Sequence, residues 1–320
     1  MAMTANTVIS AERFRSGNRN PSLTQTTATG QAAQDKQQGS EIFLEKQPFD
    51  NTRDSRYFFA SSGHAEALSR LAFMVEDRNM GIGLLTGEIG CGKTVIRTTL
   101  HRQLAKPAHM VVSLENCLLD FDDLLLEIIS QMHGERVTST DLPDRYSRLS
   151  TFKQTLMSKV AESSRHLVIL LDEAQDLNPH SLNALKGLTN IASERQNFLT
   201  LILIGQPEIR ASIKQLRQVD QRISLRYHLK ALSLEETHQY LDYRLNVAGL
   251  QGPFPFSPAA VKLVYEASGG VPREINRICK LALDHARCNA IALLDTDSIN
   301  IVTDDLRRHG GLLDPCSYPA

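Results

Sequence analysis

Long apolar runs are missing from this sequence of 320 residues. A membrane-spanning helix needs about 18 consecutive apolar residues, whereas the longest runs here, such as Leu167 to Leu171, have the length of a strand. The N-terminus has no apolar segment typical of a secretory signal, and the five cysteines include no CxxC pair. We therefore expect a cytoplasmic protein with no membrane span and with unpaired thiols.

An excess of charge is missing as well. The chain has 35 basic and 36 acidic residues, which gives a formal net charge of −1. No global positive field draws it to nucleic acid or anionic lipid, so such binding would need a local patch. The 42% of hydrophobic residues excludes a fully disordered or fibrous chain, and the length suggests two domains at about 150 residues per domain.

Large aliphatic side chains are nearly missing from the first forty residues. Between Ser16 and Glu41, Leu23 is the only one. Such a segment cannot bury enough apolar area to offset the entropy that ordering costs. We predict a disordered tail over 1–41 and a second, short tail over 311–320.

From about residue 42 to residue 231, short apolar runs alternate with helical patterns. We predict strands at 83–86, 110–114, 167–171, 199–204 and 223–229, and helices ending near 104 and spanning 121–132, 142–162 and 181–194. Continuous apolar strands between helices indicate a sheet that is buried on both faces, which is typical of parallel α/β proteins.

The pattern changes after residue 231. Ser233 and Glu236 form a capping box that opens a helix. Helical patterns follow near 258–267, 273–288 and 297–308, and no clear strand separates them. We therefore predict a core domain over 42–231 and a small all-helical domain over 232–310.

A phosphate-binding loop follows the first predicted strand. Residues 87–94 read GEIGCGKT and match G-x-x-x-x-G-K-[ST] in full, between a strand and a helix. Glycines let successive N–H groups point into one concavity, and the helix N-terminus adds a positive dipole. Lys93 would neutralise β- and γ-phosphate charge, and Thr94 would offer its hydroxyl to Mg²⁺. The predicted nucleotide-binding residues are Gly87, Glu88, Ile89, Gly90, Cys91, Gly92, Lys93, Thr94 and Val95.

Two carboxylates follow the apolar run at 167–171. Asp172 and Glu173 would lie at the carboxyl edge of the sheet, where ligands of α/β proteins bind. Asp172 would hold Mg²⁺, directly or through water, and Glu173 would orient and deprotonate the attacking water. The alternative is a strand that simply ends in an acidic turn.

Gln206 follows the strand at 199–204, which we expect to lie between the loop strand and the acidic strand. Gln206 would then reach the γ-phosphate or the attacking water, unless it belongs to an ordinary turn. Arg222, Arg226 and Arg273 are further candidates, because an arginine that faces the γ-phosphate stabilises transition-state charge. Spacing alone favours surface salt bridges for all three arginines.

Taken together, these motifs resemble the AAA+ ATPases, and more closely the ExeA/GspA-type ATPases of general secretion and pilus biogenesis, MshM-like members included. The resemblance covers about residues 49–305. It is carried by YFFAS at 57–61 with His64 and EAL at 66–68, by GEIGCGKT, and by LVILLDEAQDLNPHSLNALKGLTN, LILIGQPEIR, DQRISLRYHLKALSLEET and SGGVPREINRI. It implies an α/β fold of the P-loop NTPase (AAA+) type, a parallel sheet flanked by helices, with a small C-terminal all-helical lid domain.

The resemblance also assigns roles. Gln206 is similar to the sensor-1 position and Arg273 to sensor 2, which reaches from the lid to the nucleotide. Arg222 is similar to the finger that acts on a neighbouring subunit, with Arg226 as the second candidate. Tyr57 lies where the family packs residues near adenine. The implied catalytic set is Lys93, Glu173, Gln206, Arg222 and Arg273, with Thr94 and Asp172 holding the metal.

The expected activity is Mg²⁺-dependent ATP hydrolysis by a homo-oligomer, a ring or a filament, that drives assembly of a secretion or pilus machine through a client protein. An alternative is a DNA-associated ATPase that regulates transposition, similar to the TniB/TnsC type, with a transposase and duplex DNA as partners. A third is a nucleotide-gated scaffold that hardly hydrolyses. Secretion members often continue into a transmembrane segment and a peptidoglycan-binding domain; this sequence shows neither, so we do not expect a role in wall remodelling. Cys91 replaces a residue that is commonly small, and its oxidation would block the phosphate site unless the thiol is inert.

Overall fold

The computed structural model describes residues 42–51, 54–115, 117–192 and 197–310. The two predicted tails, 1–41 and 311–320, lie outside these residues. No helix in the described ranges is both long enough and apolar enough to cross a membrane.

The described residues contain a sheet of five parallel strands in the order β2-β3-β4-β1-β5. The strands are β1 (Ile82–Gly87), β2 (His109–Leu114), β3 (His166–Leu171), β4 (Leu199–Gly205) and β5 (Ile223–Leu229). Strands β1, β3 and β4 are buried along their whole length, as their continuous apolar runs predict. Strand β4 lies between β1 and β3. The predicted parallel α/β fold is therefore confirmed.

Helices cover both faces of the sheet. They are α1 (Ser62–Asp77), α2 (Lys93–Leu104), α3 (Phe121–His133), α4 (Arg145–Leu156), α5 (Pro179–Leu188), α6 (Ile209–Gln215) and α7 (Arg217–Asp220). Side chains on alternate positions of β3 enter opposite apolar clusters: Ile169 packs into the cluster beneath α3, α4 and α5, and Leu170 packs into the cluster beneath α1 and α2.

Two predicted helices have different bounds. The helix expected over 142–162 begins at Arg145, because Asp144 and Ser147 form a capping box, and it continues as one π-helical turn, Met157–Ala161. The helix expected over 181–194 begins at Pro179 and ends at Leu188. The hydroxyl of Thr189 donates to the carbonyl of Lys186 at 2.7 Å and so satisfies a carbonyl of the last turn.

The helical part has a core of its own. It consists of α8 (Leu234–Val247), α9 (Pro258–Ser268), α10 (Pro272–Cys288) and α11 (Thr296–Arg308). The predicted capping box is present: Ser233 Oγ accepts from the backbone N of Glu236 at 3.1 Å, and the Glu236 carboxylate accepts from the backbone N of Ser233 at 3.1 Å. Along the chain, Ala231 still packs against the sheet cluster, whereas Leu232 belongs to the helical cluster.

The first described segment differs from the predicted assignment of 42–231 to the core domain. Phe49 is 2% exposed and lies in the helical cluster, against which Ile42 and Leu44 also pack. The backbone N–H groups of Glu45 and Lys46 both donate to the carbonyl of Ala248 at 3.1 Å. Sequence patterns could not assign this segment, since its contacts are with residues about 200 positions away.

Candidate active site

A cleft of about 590 Å³ opens at the carboxyl edge of the sheet, between the loop after β1 and the helical lid. The predicted site residues that line it are Tyr57, Ile89, Gly90, Gly92, Lys93, Thr94, Val95, Glu173, Gln206 and Arg273. The cavity is therefore surrounded by the carboxyl ends of β1, β3 and β4, by the segment before α1 and by the lid. Gly87, Glu88 and Cys91 belong to the same loop, and Asp172 lies behind it.

The loop between β1 and α2 depends on its glycines. Gly90 and Gly92 have φ angles of +88° and +100°, which residues with a side chain rarely adopt. A Cβ atom on Gly90 would lie 2.7 Å from Cβ of Arg273, and one on Gly92 would lie 2.6 Å from Nε2 of His64. The loop can therefore approach both the lid and α1 only because these positions lack side chains.

Lys93 folds back over the loop. Its Nζ atom donates to the carbonyls of Gly87 at 2.7 Å and Glu88 at 3.0 Å, and the residue is 7% exposed. Burial lowers the pKa of Lys93, while the carboxylates of Glu173 and Asp172 oppose that shift. The ammonium group is thus held at the position where a phosphate would need a counter-charge.

Asp172 and Thr94, the two predicted metal ligands, are neighbours. Hydrogen bonding by the Thr94 side chain is the smallest of the influences on the pKa of Asp172, which it lowers. Asp172 is 4% exposed, and burial raises its pKa, opposed first by Arg97. Nε of Arg97 lies 3.0 Å from Oδ2 of Asp172. Arg97 was not predicted, although it follows Lys93 by one helical turn and so shares its face of α2.

Glu173 lines the cleft with a backbone in the left-handed region, at a φ angle of +52°. Its backbone N donates to Oδ1 of Asp172 at 3.1 Å. Gln175 donates through Nε2 to Oε2 of Glu173 at 2.9 Å, and its Oε1 accepts from the backbone N of Gln206 at 3.0 Å. Gln175 lies in the segment LVILLDEAQDLNPHSLNALKGLTN, and the sequence patterns predict no role for it.

The loop is also held from beneath by His64. The Ser61 hydroxyl lies 2.6 Å from Nδ1 of His64, and Nε2 lies 3.1 Å from the carbonyl of Cys91. Because a carbonyl only accepts, Nε2 donates and the neutral ring accepts at Nδ1 from Ser61. Burial lowers the pKa of His64, which favours this neutral form.

The segment before α1 supplies the aromatic wall of the cleft. The guanidinium of Arg244 lies 4.6 Å from the ring centroid of Tyr57, in the range of a cation–π contact. Arg244 is 4% exposed and donates to the carbonyls of Pro48 at 2.5 Å and Asp50 at 2.6 Å. This buried arginine fixes the segment on the lid; it was missed because nothing in its local sequence marks it.

The model of the AAA domain family matches residues 76–213. General secretion pathway protein A of Aeromonas hydrophila is 36% identical over 242 residues, a match that covers 75% of this chain and 43% of that protein. The chain therefore contains an AAA domain and has the fold of the AAA+ P-loop NTPases. It spans less than half the length of the secretion relative.

Solved structures show the same AAA+ fold. The Aeropyrum pernix ORC2 protein in its ADPNP–ADP complexes has a TM-score of 0.62 at 18% identity, covering 82% of this chain and 72% of that one. Drosophila ORC bound to DNA has a TM-score of 0.59 at 17% identity, covering 90% of this chain and 70% of that one. At these identities the likeness concerns the fold.

The donors of this AAA+ chain fit Mg²⁺. Thr94 and Asp172 offer a hydroxyl and a carboxylate, and Mg²⁺ prefers oxygen ligands, few of them from the protein and the rest from water and substrate phosphates. No group of three or more His, Cys, Asp or Glu residues that could hold a metal ion occurs in the described ranges. A hydroxyl and a carboxylate thus fit a Mg²⁺ ion that takes its other ligands from water and phosphate.

The two candidate fingers of this AAA+ chain lie apart from its own cleft. Arg222 is exposed and is not among the described residues that line the cavity. Arg226 forms an ion pair with Asp220 at 2.8 Å. Arg273, by contrast, lies at the start of α10 and reaches the cleft from the lid.

Proposed function

We propose that this AAA+ ATPase hydrolyses ATP with Mg²⁺ as a homo-oligomer in the cytoplasm, and that the cycle drives assembly of a secretion or pilus machine. The single observation that carries the chemical part is that Lys93, Thr94 and Glu173 line one cleft, with Asp172 next to Glu173 in the chain. The similarity to General secretion pathway protein A supports the biological part.

Each residue then has one task. The loop amides and Lys93 bind the β- and γ-phosphates, and Thr94 and Asp172 hold Mg²⁺, which neutralises charge on the phosphates when bound. Glu173 orients a water molecule opposite the leaving oxygen and takes its proton as the oxygen attacks the γ-phosphorus. The bond from the γ-phosphorus to the bridging oxygen breaks, and ADP and inorganic phosphate leave.

Two arginines complete the site. Arg273 contacts the phosphates from the lid, so nucleotide binding and release are linked to the position of the lid. Arg222 enters the cleft of a neighbouring subunit and stabilises charge in the transition state. Arg222 is exposed and is not among the described residues that line this chain's own cavity, which supports that role. The ion pair of Arg226 with Asp220 disfavours Arg226.

The biological part is tested in the host. A Glu173→Gln chain, co-expressed with the wild-type chain, should enter mixed oligomers and reduce secretion or surface pili. Gly187→Ala is the matched control, because a Cβ atom on Gly187 meets nothing within 4 Å. Unchanged secretion and piliation, with the Glu173→Gln chain present in equal amount, would contradict the assembly role.

Regulation of transposition, with a transposase and duplex DNA as partners, is the alternative. The neighbour from Drosophila is described as bound to DNA, but this likeness is one of fold. Adding duplex DNA distinguishes the two functions. ATP-dependent binding that weakens steeply with salt supports the alternative, and no binding at low salt supports the secretion role.

A further inference from the structure

Gln175 connects two parts of the cleft that belong to different strands. Its side-chain Nε2 donates to Oε2 of Glu173 at 2.9 Å, and its Oε1 accepts from the backbone N of Gln206 at 3.0 Å. Glu173 follows β3 and Gln206 follows β4, two adjacent strands. One amide therefore spans the edge at which the attacking water would be activated.

The orientation of this amide follows from its partners. A carboxylate oxygen only accepts and a backbone N–H only donates. In the reverse orientation, Oε1 of Gln175 would face the Glu173 carboxylate, and Nε2 would face the backbone N–H of Gln206. A single orientation of the amide therefore satisfies both hydrogen bonds. A displacement of the Gln206 backbone is thereby linked to the carboxylate of Glu173.

The close approach of Gln175 depends on Gly205, the last residue of β4. A Cβ atom on Gly205 would lie 2.8 Å from Oε1 of Gln175 and 3.1 Å from its backbone N. Gly205 is not one of the glycines with a positive φ angle. Its backbone conformation therefore does not require glycine. The space that the Gln175 amide occupies requires it.

Glu173 also needs an external constraint. Its φ angle of +52° is unusual for a residue with a side chain, and such conformations persist only where the surroundings fix them. The contact with Asp172 fixes its backbone N. The contact with Gln175 fixes its carboxylate.

We propose that Gln175 is a positioning residue for ATP hydrolysis: it holds the carboxylate of Glu173 and couples it to the backbone of Gln206. When the Gln206 side chain meets the γ-phosphate, its backbone shifts and the amide of Gln175 sets Glu173 for proton transfer. This inference rests on the proposed role of Glu173 as the base. Gln175 itself touches neither ATP nor the attacking water.

Two substitutions of Gln175 test its hydrogen bonds. Gln175→Leu removes both, and Gln175→Glu keeps the acceptor for Gln206 but opposes a second carboxylate to Glu173. We expect both variants to lower kcat about 10- to 100-fold, the cost of misplacing a reacting group. The dissociation constant for ATP should stay within about twofold, because binding depends on the loop. A loss of ATP affinity equal to the loss of kcat would overturn the proposal.

A double-mutant cycle tests whether Gln175 acts through Glu173. If it does, Gln175→Leu adds less than about twofold to the loss in Glu173→Gln, since the group that it positions is already disabled. A general disturbance of the cleft would instead multiply the two losses. Single-turnover measurements on the full chain resolve the slow rates.

The glycine gives an independent variant. Gly205→Ala should displace the amide and lower kcat as Gln175→Leu does, with ATP binding retained, whereas Gly187→Ala should leave both unchanged. Normal turnover by Gly205→Ala and by Gln175→Leu, with Glu173→Gln inactive, would refute the coupling and leave the proposed base intact. Normal turnover by Glu173→Gln would refute the base itself.

Discussion

Nε of Arg97 lies 3.0 Å from Oδ2 of Asp172, and both side chains are nearly buried, at 7% and 5% exposed. The same guanidinium donates to Oγ of Ser113 at 2.6 Å and to Oε1 of Glu115 at 2.6 Å. Arg97 thus joins the helix after the phosphate loop to β3 and to the end of β2. Burial raises the pKa of Asp172, and the charge of Arg97 is the main influence that opposes this rise.

Removal of Arg97 should therefore destabilise the fold. Arg97→Met leaves the Asp172 carboxylate buried without its partner, which we expect to lower the free energy of unfolding by about 3 kcal/mol. Urea denaturation at pH 7.5 measures it. Arg226→Met is the control, since its pair with Asp220 is 45% and 38% exposed and should contribute at most about 1 kcal/mol. Equal losses in the two variants would show that the buried pair has no special weight.

His166 predicts how stability depends on pH. Burial lowers its pKa to about 4, against about 6.5 in the unfolded chain, so between these values the unfolded state binds more protons. Stability should be complete above pH 6.5 and should fall as pH falls toward 4, by about 2 kcal/mol at pH 5 from this group. His166→Gln should flatten the dependence between pH 7.5 and 5. An unchanged slope would exclude His166 as its source.

Cys91 should be unreactive although it lies in the phosphate loop. It is 1% exposed, and burial raises its pKa to about 11, so little thiolate exists at neutral pH. Cys288 is exposed. We expect iodoacetamide at pH 8 to label Cys288 at least about 100-fold faster, as site-resolved mass spectrometry would show. Comparable labelling would support a redox role for Cys91.

Arg222 should act across a subunit boundary. Arg222→Ala alone should bind ATP normally and fail to turn over. Mixing it with Lys93→Ala, which lacks nucleotide binding but keeps the finger, should restore activity, because mixed oligomers contain an intact cleft beside an intact Arg222. Arg226→Ala, mixed with Lys93→Ala in the same way, is the control. If the mixture of Arg222→Ala with Lys93→Ala regains no ATPase activity, a finger that acts in trans is excluded.

Sequence patterns were sufficient for the fold and for the groups at the sheet edge. The loop motif and the apolar runs predict parallel strands, and parallel strands bring Lys93, Glu173 and Gln206 to one edge. Arg97 and Gln175 could not be found in this way, because their roles depend on side-chain contacts between elements. The end of α5 was also predicted too late, because the helical pattern continues past Leu188, where the helix ends.

We propose that Glu173 activates water in the cleft where Lys93 binds the phosphates of ATP. The most direct measurement compares ATP binding and hydrolysis by Glu173→Gln under saturating Mg²⁺. We expect ATP affinity within about threefold of wild type and turnover reduced by at least about 100-fold, the size of a general-base contribution. Unchanged turnover would contradict this proposal.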